Sequence, residues 1–120
     1  METAAYALLT TREIEAFREI VGGDYVFIDD ESLNRYAHDE TENLHYRPEV
    51  VLKPKTAEEI SAILKICNKQ QIPVTPRGAG TGVSGGALPH FGGVLLSTER
   101  MNTILEIDER NLQVITEPGV

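Results

Sequence analysis

The residues best suited to chemistry form a glycine-rich run, PRGAGTGVSGGA, at positions 76–87. Five of the ten glycines in the chain lie between Gly78 and Gly86, and the residues among them are small. Consecutive glycines can turn several backbone N–H groups toward one point, and such a concave nest binds phosphate oxygens. The hydroxyls of Thr81 and Ser84 can add hydrogen bonds to the same anion. The run therefore predicts a phosphate-binding loop, with an irregular surface turn as the alternative.

Part of this run, GTGVSG at positions 80–85, also fits the G-x-G-x-x-G motif of dinucleotide-binding folds. Glu99 even lies roughly where that motif places its ribose-binding acid. The motif works, however, by placing a pyrophosphate at the start of a helix. Here the chain continues GALPHFGG, whose proline and glycines prevent a long helix from forming. A nucleoside-triphosphate loop is excluded because no Gly-Lys-Ser/Thr ends the run. The pattern favours an anion nest without a helix, and an NAD-dependent enzyme stays the lesser alternative.

The elements ahead of this loop begin with two predicted helices. The first follows a capping box of Thr10 and Glu13 and ends at the Gly22–Gly23 pair. Its apolar face consists of Ile14, Phe17 and Val21. A short second helix is predicted from Asp30 to Tyr36, and the polar residues 37–48 form a connecting loop.

The stretch that leads into the glycine-rich run has the pattern of a β-α-β unit. EVVLKP (49–54) and IPVTPRG (72–78) predict short parallel strands, with a capped helix after Thr56 between them. The apolar face of that helix consists of Ile60, Ile63, Leu64 and Cys67. Beyond the apolar GGVLLST, residues 104–120 predict a β-hairpin around DERN. The predicted fold class is α+β: an α/β subdomain of short parallel strands with flanking helices, then a β-hairpin.

Composition limits the kinds of protein this chain can be. Its 120 residues, 41% of them apolar, are enough for one modest core. All of the net charge of −8 lies in residues 1–49, which hold 12 acids and 4 bases, so no basic face favours a nucleic-acid partner. No apolar run approaches the roughly 20 residues of a membrane span, and the opening lacks the pattern of a signal peptide. A cytoplasmic protein is expected.

Neither cysteine nor histidine indicates a metal site. A single cysteine, Cys67, excludes an internal disulfide and a cysteine cluster, and its place in the helical pattern predicts a core residue. The histidines share no metal-ligand spacing and are predicted to be solvated or locally hydrogen-bonded; they are His38, His45 and His90.

Two stretches of the chain resemble a known flavoprotein superfamily: PEVVLKPKTAEEISAILKICNKQQIPVTPRGAGTGVSGGA and STERMNTILEIDERNLQVITEPGV. Together they resemble the start of the FAD-binding domain of the vanillyl-alcohol oxidase and p-cresol methylhydroxylase (PCMH) superfamily. Within it they are most similar to the branch of the FAD-linked glycolate oxidases and D-lactate dehydrogenases. The resemblance extends from about Tyr36 to Val120, and its R-G-x-G-T-x-x-S-G-G core is specific. It implies a helical segment and connecting loop at 1–48, followed at 49–120 by the first, incomplete part of a PCMH-type FAD-binding domain.

The resemblance also implies that residues 77–86 wrap the pyrophosphate of FAD, chiefly through main-chain amides. The residues assigned to the cofactor are Pro76, Arg77, Gly78, Ala79, Gly80, Thr81, Gly82, Ser84, Gly85, Gly86, Gly119 and Val120. Arg77 either faces a phosphate or pairs with a nearby acid. Some relatives attach FAD covalently through a histidine four residues after this arginine. Thr81 occupies that position here, which implies a non-covalent flavin.

The activity that the resemblance implies is an FAD-linked oxidase or dehydrogenase acting on a small 2-hydroxy acid such as glycolate or D-lactate. Substrate and catalytic base would meet in a C-terminal domain beyond residue 120, and electrons would pass to a separate acceptor. No residue of this chain is therefore predicted to be catalytic or to bind a metal. The chain is expected to be truncated, inactive alone, and prone to self-associate through the exposed face of its sheet or helices. The alternatives are a non-catalytic nucleotide-binding or assembly module and an NAD-dependent dehydrogenase.

Overall fold

The computed structural model describes residues 6–41 and 43–120, which form helices, strands and a short 3₁₀ turn. The helices are α1 (Thr11–Val21), α2 (Asp30–Arg35) and α3 (Ala57–Gln70). The strands are β1 (Val26–Phe27), β2 (Val50–Leu52), β3 (Val74–Arg77), β4 (Val94–Ser97), β5 (Ile104–Asp108) and β6 (Gln113–Thr116). The predicted α+β class is confirmed. Within the described ranges, no helix combines the length and the apolar character that crossing a membrane requires.

The two longer helices begin at the predicted caps. Ahead of α1, the backbone amide of Thr10 donates to the carboxylate of Glu13 at 2.9 Å. Ahead of α3, the hydroxyl oxygen of Thr56 accepts the amide of Glu59 at 3.1 Å. These bonds satisfy groups that a helix start leaves unpaired. α1 ends at Val21 and is capped by Gly22, whose φ of 91° lies where glycine is favoured.

The central sheet has four strands in the order β1-β2-β4-β3. Both β2 and β3 run parallel to β4. In the register of these pairings, Val51 and Thr75 lie opposite Leu95. The predicted parallel arrangement is confirmed, but β4 lies between the two strands of the β-α-β unit. The glycine-rich run thus joins two strands that are direct neighbours, β3 and β4.

The N-terminal segment contributes a strand that the sequence did not predict. β1 pairs antiparallel with β2, and Val26 lies opposite Leu52. The amide of Leu9 also donates to Oε1 of Glu49 at 3.1 Å. Residues of the predicted segment 1–48 therefore share the sheet with residues of 49–120, and the predicted boundary between them stays a prediction.

Apolar side chains cover both faces of the central sheet. On one face lie α1 and α3, whose shared core includes Phe17, Val21, Val50, Leu52, Ile63, Cys67, Ile72, Val94 and Leu96. On the other face lies α2, whose core consists of Leu33, Tyr36, Val51 and Leu95. Cover on both sides explains why β2 and residues 94–96 of β4 are apolar, as buried parallel strands are.

Two residues of α3 test the predicted apolar face of that helix. Cys67 is 2% exposed, as predicted, and burial raises the pKa of its thiol to about 11. Leu64 is 45% exposed, so the prediction that it faces the core is wrong. Ile66 packs against the core instead, so the buried face that contains Ile63 and Cys67 is turned toward Ile66 and away from Leu64.

The predicted hairpin is present as β5 and β6, which form a two-stranded sheet of their own. Ile107 lies directly opposite Val114 across its two strands. Its large apolar side chains are all more than half exposed: Ile104, Leu105, Ile107, Leu112, Val114 and Ile115. The hairpin therefore leaves apolar surface uncovered on both strands.

Candidate functional site

The glycine-rich run begins at one edge of the central sheet. β3 ends at Arg77 and the parallel β4 ends at Ser97, directly opposite it. The carboxyl ends of parallel strands are the usual place for ligands in such sheets. From Arg77 the chain returns to Val94 through residues 78–93, which contain no helix. The helix that a G-x-G-x-x-G motif requires is thus missing from the described residues, as the sequence GALPHFGG predicted.

The backbone amides of residues 78–84 are available to a ligand. Among the described residues, none of these amides donates a hydrogen bond to a protein acceptor. Gly80 has a φ of 72° and Gly85 a φ of 74°, in the left-handed region that residues with a side chain rarely adopt. A Cβ added at Gly78 would meet nothing within 4 Å. The run is therefore an open loop with free donors, as an anion nest requires.

Arg77 lies across the base of this loop. Its Nη1 donates to the carbonyl of His38 at 2.9 Å, and its guanidinium carbon lies 5.2 Å from the centre of the Tyr36 ring. A Cβ on Gly80 would clash with its Nη2, so the side chain folds back against the loop. The Arg77 guanidinium thus contacts a backbone carbonyl and an aromatic ring and forms no ion pair with a carboxylate among the described residues.

A segment that the sequence indicated only as a connecting loop, residues 38–41, fixes the far part of the glycine-rich run. The amide of Glu40 donates to the carbonyl of Gly82 at 3.2 Å, and the amide of Gly85 donates to Oγ1 of Thr41 at 2.9 Å. Thr41 in turn donates its amide to Asp39 at 2.8 Å. Hydrogen bonding from Thr41, and more weakly the charge of Arg77, hold the pKa of Asp39 below its ordinary value.

His90 closes the same part of the loop from the other side. Its Nε2 lies 3.2 Å from the carbonyl oxygen of Gly85, and its ring centre lies 4.3 Å from that of Tyr46. The prediction of a locally hydrogen-bonded histidine is confirmed for this residue. His38 and His45 are exposed and stack on each other, with ring centres 6.0 Å apart.

The start of the loop and the end of the chain meet at a cleft of about 210 Å³. The residues that line it are Gly78, Ala79, Glu99, Asn102, Pro118, Gly119 and Val120. Two separate groups of predicted cofactor residues, 78–79 and 119–120, are thus brought together. Gly119 is held tightly, because a Cβ there would clash with the carbonyl oxygen of Thr98. The remaining predicted residues lie on β3 or farther along the loop and do not line this cleft: Pro76, Arg77, Gly80, Thr81, Gly82, Ser84, Gly85 and Gly86.

Glu99 joins the cleft to a polar cluster that the sequence did not predict. The hydroxyl of Tyr36 donates to its Oε1 at 2.5 Å, and Nζ of Lys53 lies 3.1 Å from its Oε2. Burial alone would raise the pKa of Glu99, but the hydrogen bonds from Tyr36 and Lys53 outweigh it and lower that pKa. Burial, and then the bond to Glu99, raise the pKa of Tyr36. The cluster therefore presents an ionised carboxylate to the cleft.

Curated proteins of similar sequence are named as glycolate oxidase subunits, D-lactate dehydrogenases and FAD-linked oxidoreductases. The D-lactate dehydrogenase of Anaerostipes hadrus is 40% identical over 121 residues, which cover 100% of this chain and 25% of that protein. The glycolate oxidase subunit GlcD of Bacillus subtilis (strain 168) is 44% identical over 94 residues, 77% of this chain and 20% of that protein. This chain thus spans a quarter or less of the length of these relatives.

Solved structures and a family profile also match this chain. p-Cresol methylhydroxylase with substrate bound superposes with a TM-score of 0.81 at 30% identity, over 92% of this chain and 22% of that one. The 4-ethylphenol oxidase of Gulosibacter chungangensis, in complex with isoeugenol, gives a TM-score of 0.79 at 32% identity, over 92% of this chain and 22% of that one. The profile of the FAD binding domain matches residues 48–120, more than half of the chain. The chain therefore belongs to the FAD binding domain family.

Proposed function

We propose that this chain is the first part of an FAD-dependent oxidoreductase and that its glycine-rich loop holds the diphosphate of FAD. The observation that carries the proposal is the loop of free amides at residues 78–84, which opens beside the cleft where Gly78 and Gly119 meet. The donors suit a diphosphate, because backbone N–H groups can bind anionic oxygens without bringing a full positive charge. Bound FAD would supply the hydride acceptor of the reaction.

Individual residues have distinct roles in this proposal. The free amides of residues 78–84, with that of Gly86, hold the diphosphate, and the hydroxyls of Thr81 and Ser84 can bind the same oxygens. The amide of Gly85 is bound to Thr41, so Gly85 fixes the shape of the loop. Arg77 holds the base of the loop through the His38 carbonyl, and its charge lies close enough to favour an anion there. Pro76 ends the strand that precedes the loop, and Gly119 and Val120 form the opposite wall of the cleft.

The proposed substrate is a small 2-hydroxy acid, with a separate electron acceptor. The support is that two similar proteins are named for glycolate and D-lactate, which are both 2-hydroxy acids. Glu99 is the ionisable side chain that lines the described cleft, and its lowered pKa makes it a weak base, so the catalytic residues are proposed to lie beyond residue 120. A cytoplasmic location is part of the proposal.

The direct test is an absorption spectrum of the purified full-length protein. We expect flavin bands that bleach when glycolate or D-lactate is added without oxygen, since the hydride then stays on the flavin. Flavin bands that never bleach with any 2-hydroxy acid would favour a non-catalytic module. Binding of NAD without FAD would contradict the proposal altogether.

The flavin is proposed to be non-covalent, because Thr81 stands at the position where some relatives carry the attaching histidine. We expect acid precipitation of the holoprotein to leave FAD in the supernatant, with a colourless washed pellet. A yellow pellet would show a covalent bond and would contradict this part of the proposal. The measurement does not depend on knowing the substrate.

Self-association of the 120-residue chain is proposed to involve the β5–β6 hairpin. The central sheet is covered on both faces, whereas the apolar side chains of the hairpin are more than half exposed. Exposed apolar groups of this kind tend to find partners, and a two-stranded sheet has two open edges. The supporting observation therefore concerns the hairpin rather than the helices.

A further inference from the structure

Glu99 places a negative charge in the cleft that opens beside the glycine-rich loop. The cleft is lined on one side by Gly78 and Ala79 and on another by Gly119, with Asn102 beside Glu99. A carboxylate repels phosphate oxygens. The end of the cleft at Glu99 is therefore unsuited to the diphosphate and suited to a group that donates hydrogen bonds.

The carboxylate of Glu99 is held in one orientation by two donors. Tyr36 binds Oε1 at 2.5 Å and Lys53 binds Oε2 at 3.1 Å, so each oxygen keeps a second lone pair for another donor. The Glu99 amide also donates to Oγ of Ser97 at 3.3 Å, which fixes the backbone. The Glu99 side chain remains 43% exposed while that of Lys53 is only 18% exposed, so the acid and not the lysine faces the ligand.

We propose that Glu99 accepts hydrogen bonds from sugar hydroxyls of FAD, either of its adenosine ribose or of its ribityl chain. An ionised carboxylate only accepts hydrogen bonds, so it selects hydroxyl donors and rejects phosphate oxygens at that end of the cleft. Asn102 can donate to or accept from a neighbouring hydroxyl of the same sugar. Lys53 balances the charge of Glu99, which limits the repulsion that the nearby diphosphate would feel. This inference rests on the proposed function, because it concerns the same cofactor.

The test compares FAD affinity of the full-length protein and its Glu99→Gln variant, measured by flavin fluorescence. Glutamine keeps the volume and one acceptor but removes the charge that strengthens the bond. We expect the Kd for FAD to rise roughly tenfold or more, as for loss of a charged hydrogen bond. Removal of a negative charge beside a diphosphate would by itself tighten binding, so weaker binding has to come from the weakened hydrogen bond or from a change in the local structure, which the FAD analogues distinguish. Glu106→Gln, in the exposed hairpin, is the matched control and should leave the Kd unchanged.

Two analogues of FAD identify which sugar is bound. One carries a pentyl chain without hydroxyls in place of ribityl, and the other carries 2′,3′-dideoxyadenosine. For the analogue that lacks the contacted hydroxyls, the wild-type protein and Glu99→Gln should have equal Kd values, whereas for the other analogue the difference should persist.

Three results would overturn the inference. An unchanged or lower Kd for FAD in Glu99→Gln would show that Glu99 makes no stabilising hydrogen bond to FAD. An equal rise in Kd for FAD and both analogues would show that Glu99 only supports the local structure. A wild-type protein that binds no FAD at all would overturn the proposed function and this inference with it, whereas the first two results would leave the proposed function intact.

Discussion

Replacing Gly80 by valine in the full-length protein should abolish FAD retention and leave the protein folded. The φ of Gly80 is 72°, and a left-handed residue with a side chain costs about 1–2 kcal/mol, more for a β-branched one. Its Cβ would also clash with Nη2 of Arg77, so the guanidinium would have to leave its place at the base of the loop. Both effects distort the amides without touching the core. The measurement is the flavin absorbance per protein after gel filtration, with circular dichroism to check folding.

Gly82→Val should lose the flavin for a different reason. Gly82 has no left-handed φ, and a Cβ there would have only Oδ2 of Asp39 nearby, at 3.8 Å, so the backbone can keep its conformation. The valine side chain would instead occupy the path of the diphosphate. Gly23→Val is the matched control, because a Cβ at Gly23 meets nothing within 4 Å and lies outside the loop. Normal flavin content in both loop variants would rule out the amide nest.

The parts of the fold that sequence patterns predict well are those set by local contacts. Helix starts at Thr10 and Thr56 follow from a cap and an acid three residues apart, and the structure shows the hydrogen bonds that this spacing predicts. The helix-free course of residues 78–93 likewise follows from glycine and proline positions. The hairpin follows from alternation around DERN. In each case the residues that give the sequence pattern and the residues that form the structure lie within a few positions of each other.

The parts that sequence patterns miss depend on contacts between distant residues. β1 has only two residues, Val26 and Phe27, which is too short for any periodicity to be seen, and it exists because β2 offers it an edge. The place of β4 between β2 and β3 is likewise a matter of pairing across the sheet, which no local pattern encodes. The spacing of Leu64 fits an apolar face with Ile60, Ile63 and Cys67, whereas the buried face of α3 is turned toward Ile66.

The same limit applies to the candidate site. The loop itself is visible in the sequence because its chemistry is contained in consecutive glycines. Its supports are not, because Thr41 reaches Gly85 across 44 residues and Tyr36 reaches Glu99 across 63. In the sequence, residues 37–48 have only the pattern of a polar connecting loop. Their role is visible only in the folded chain. Glu40 binds the loop through its backbone amide and Thr41 through a hydroxyl, and neither group is distinctive in a sequence.

The 120-residue chain on its own should be colourless, bind FAD weakly and self-associate. It offers the diphosphate loop and one cleft of about 210 Å³, too small to enclose both ring systems of FAD. A few hydrogen bonds of roughly 1.5–3 kcal/mol each, weakened where water competes, support a Kd of about 0.1–1 mM at best. Titration with FAD and light scattering on the same sample test both statements. Tight FAD binding by a monomer would contradict them.

Self-association should depend on the apolar face of the hairpin, and a paired substitution can show this. Ile107 and Val114 lie directly opposite each other on β5 and β6 and are 63% and 56% exposed. Threonine at both positions keeps a β-branched side chain, so the hairpin should persist while its apolar surface shrinks. Light scattering should then report a mass close to the 13.3 kDa of one chain. Leu8→Thr, at a residue 79% exposed outside the hairpin, should leave the association unchanged, because the proposed contact is made by the hairpin.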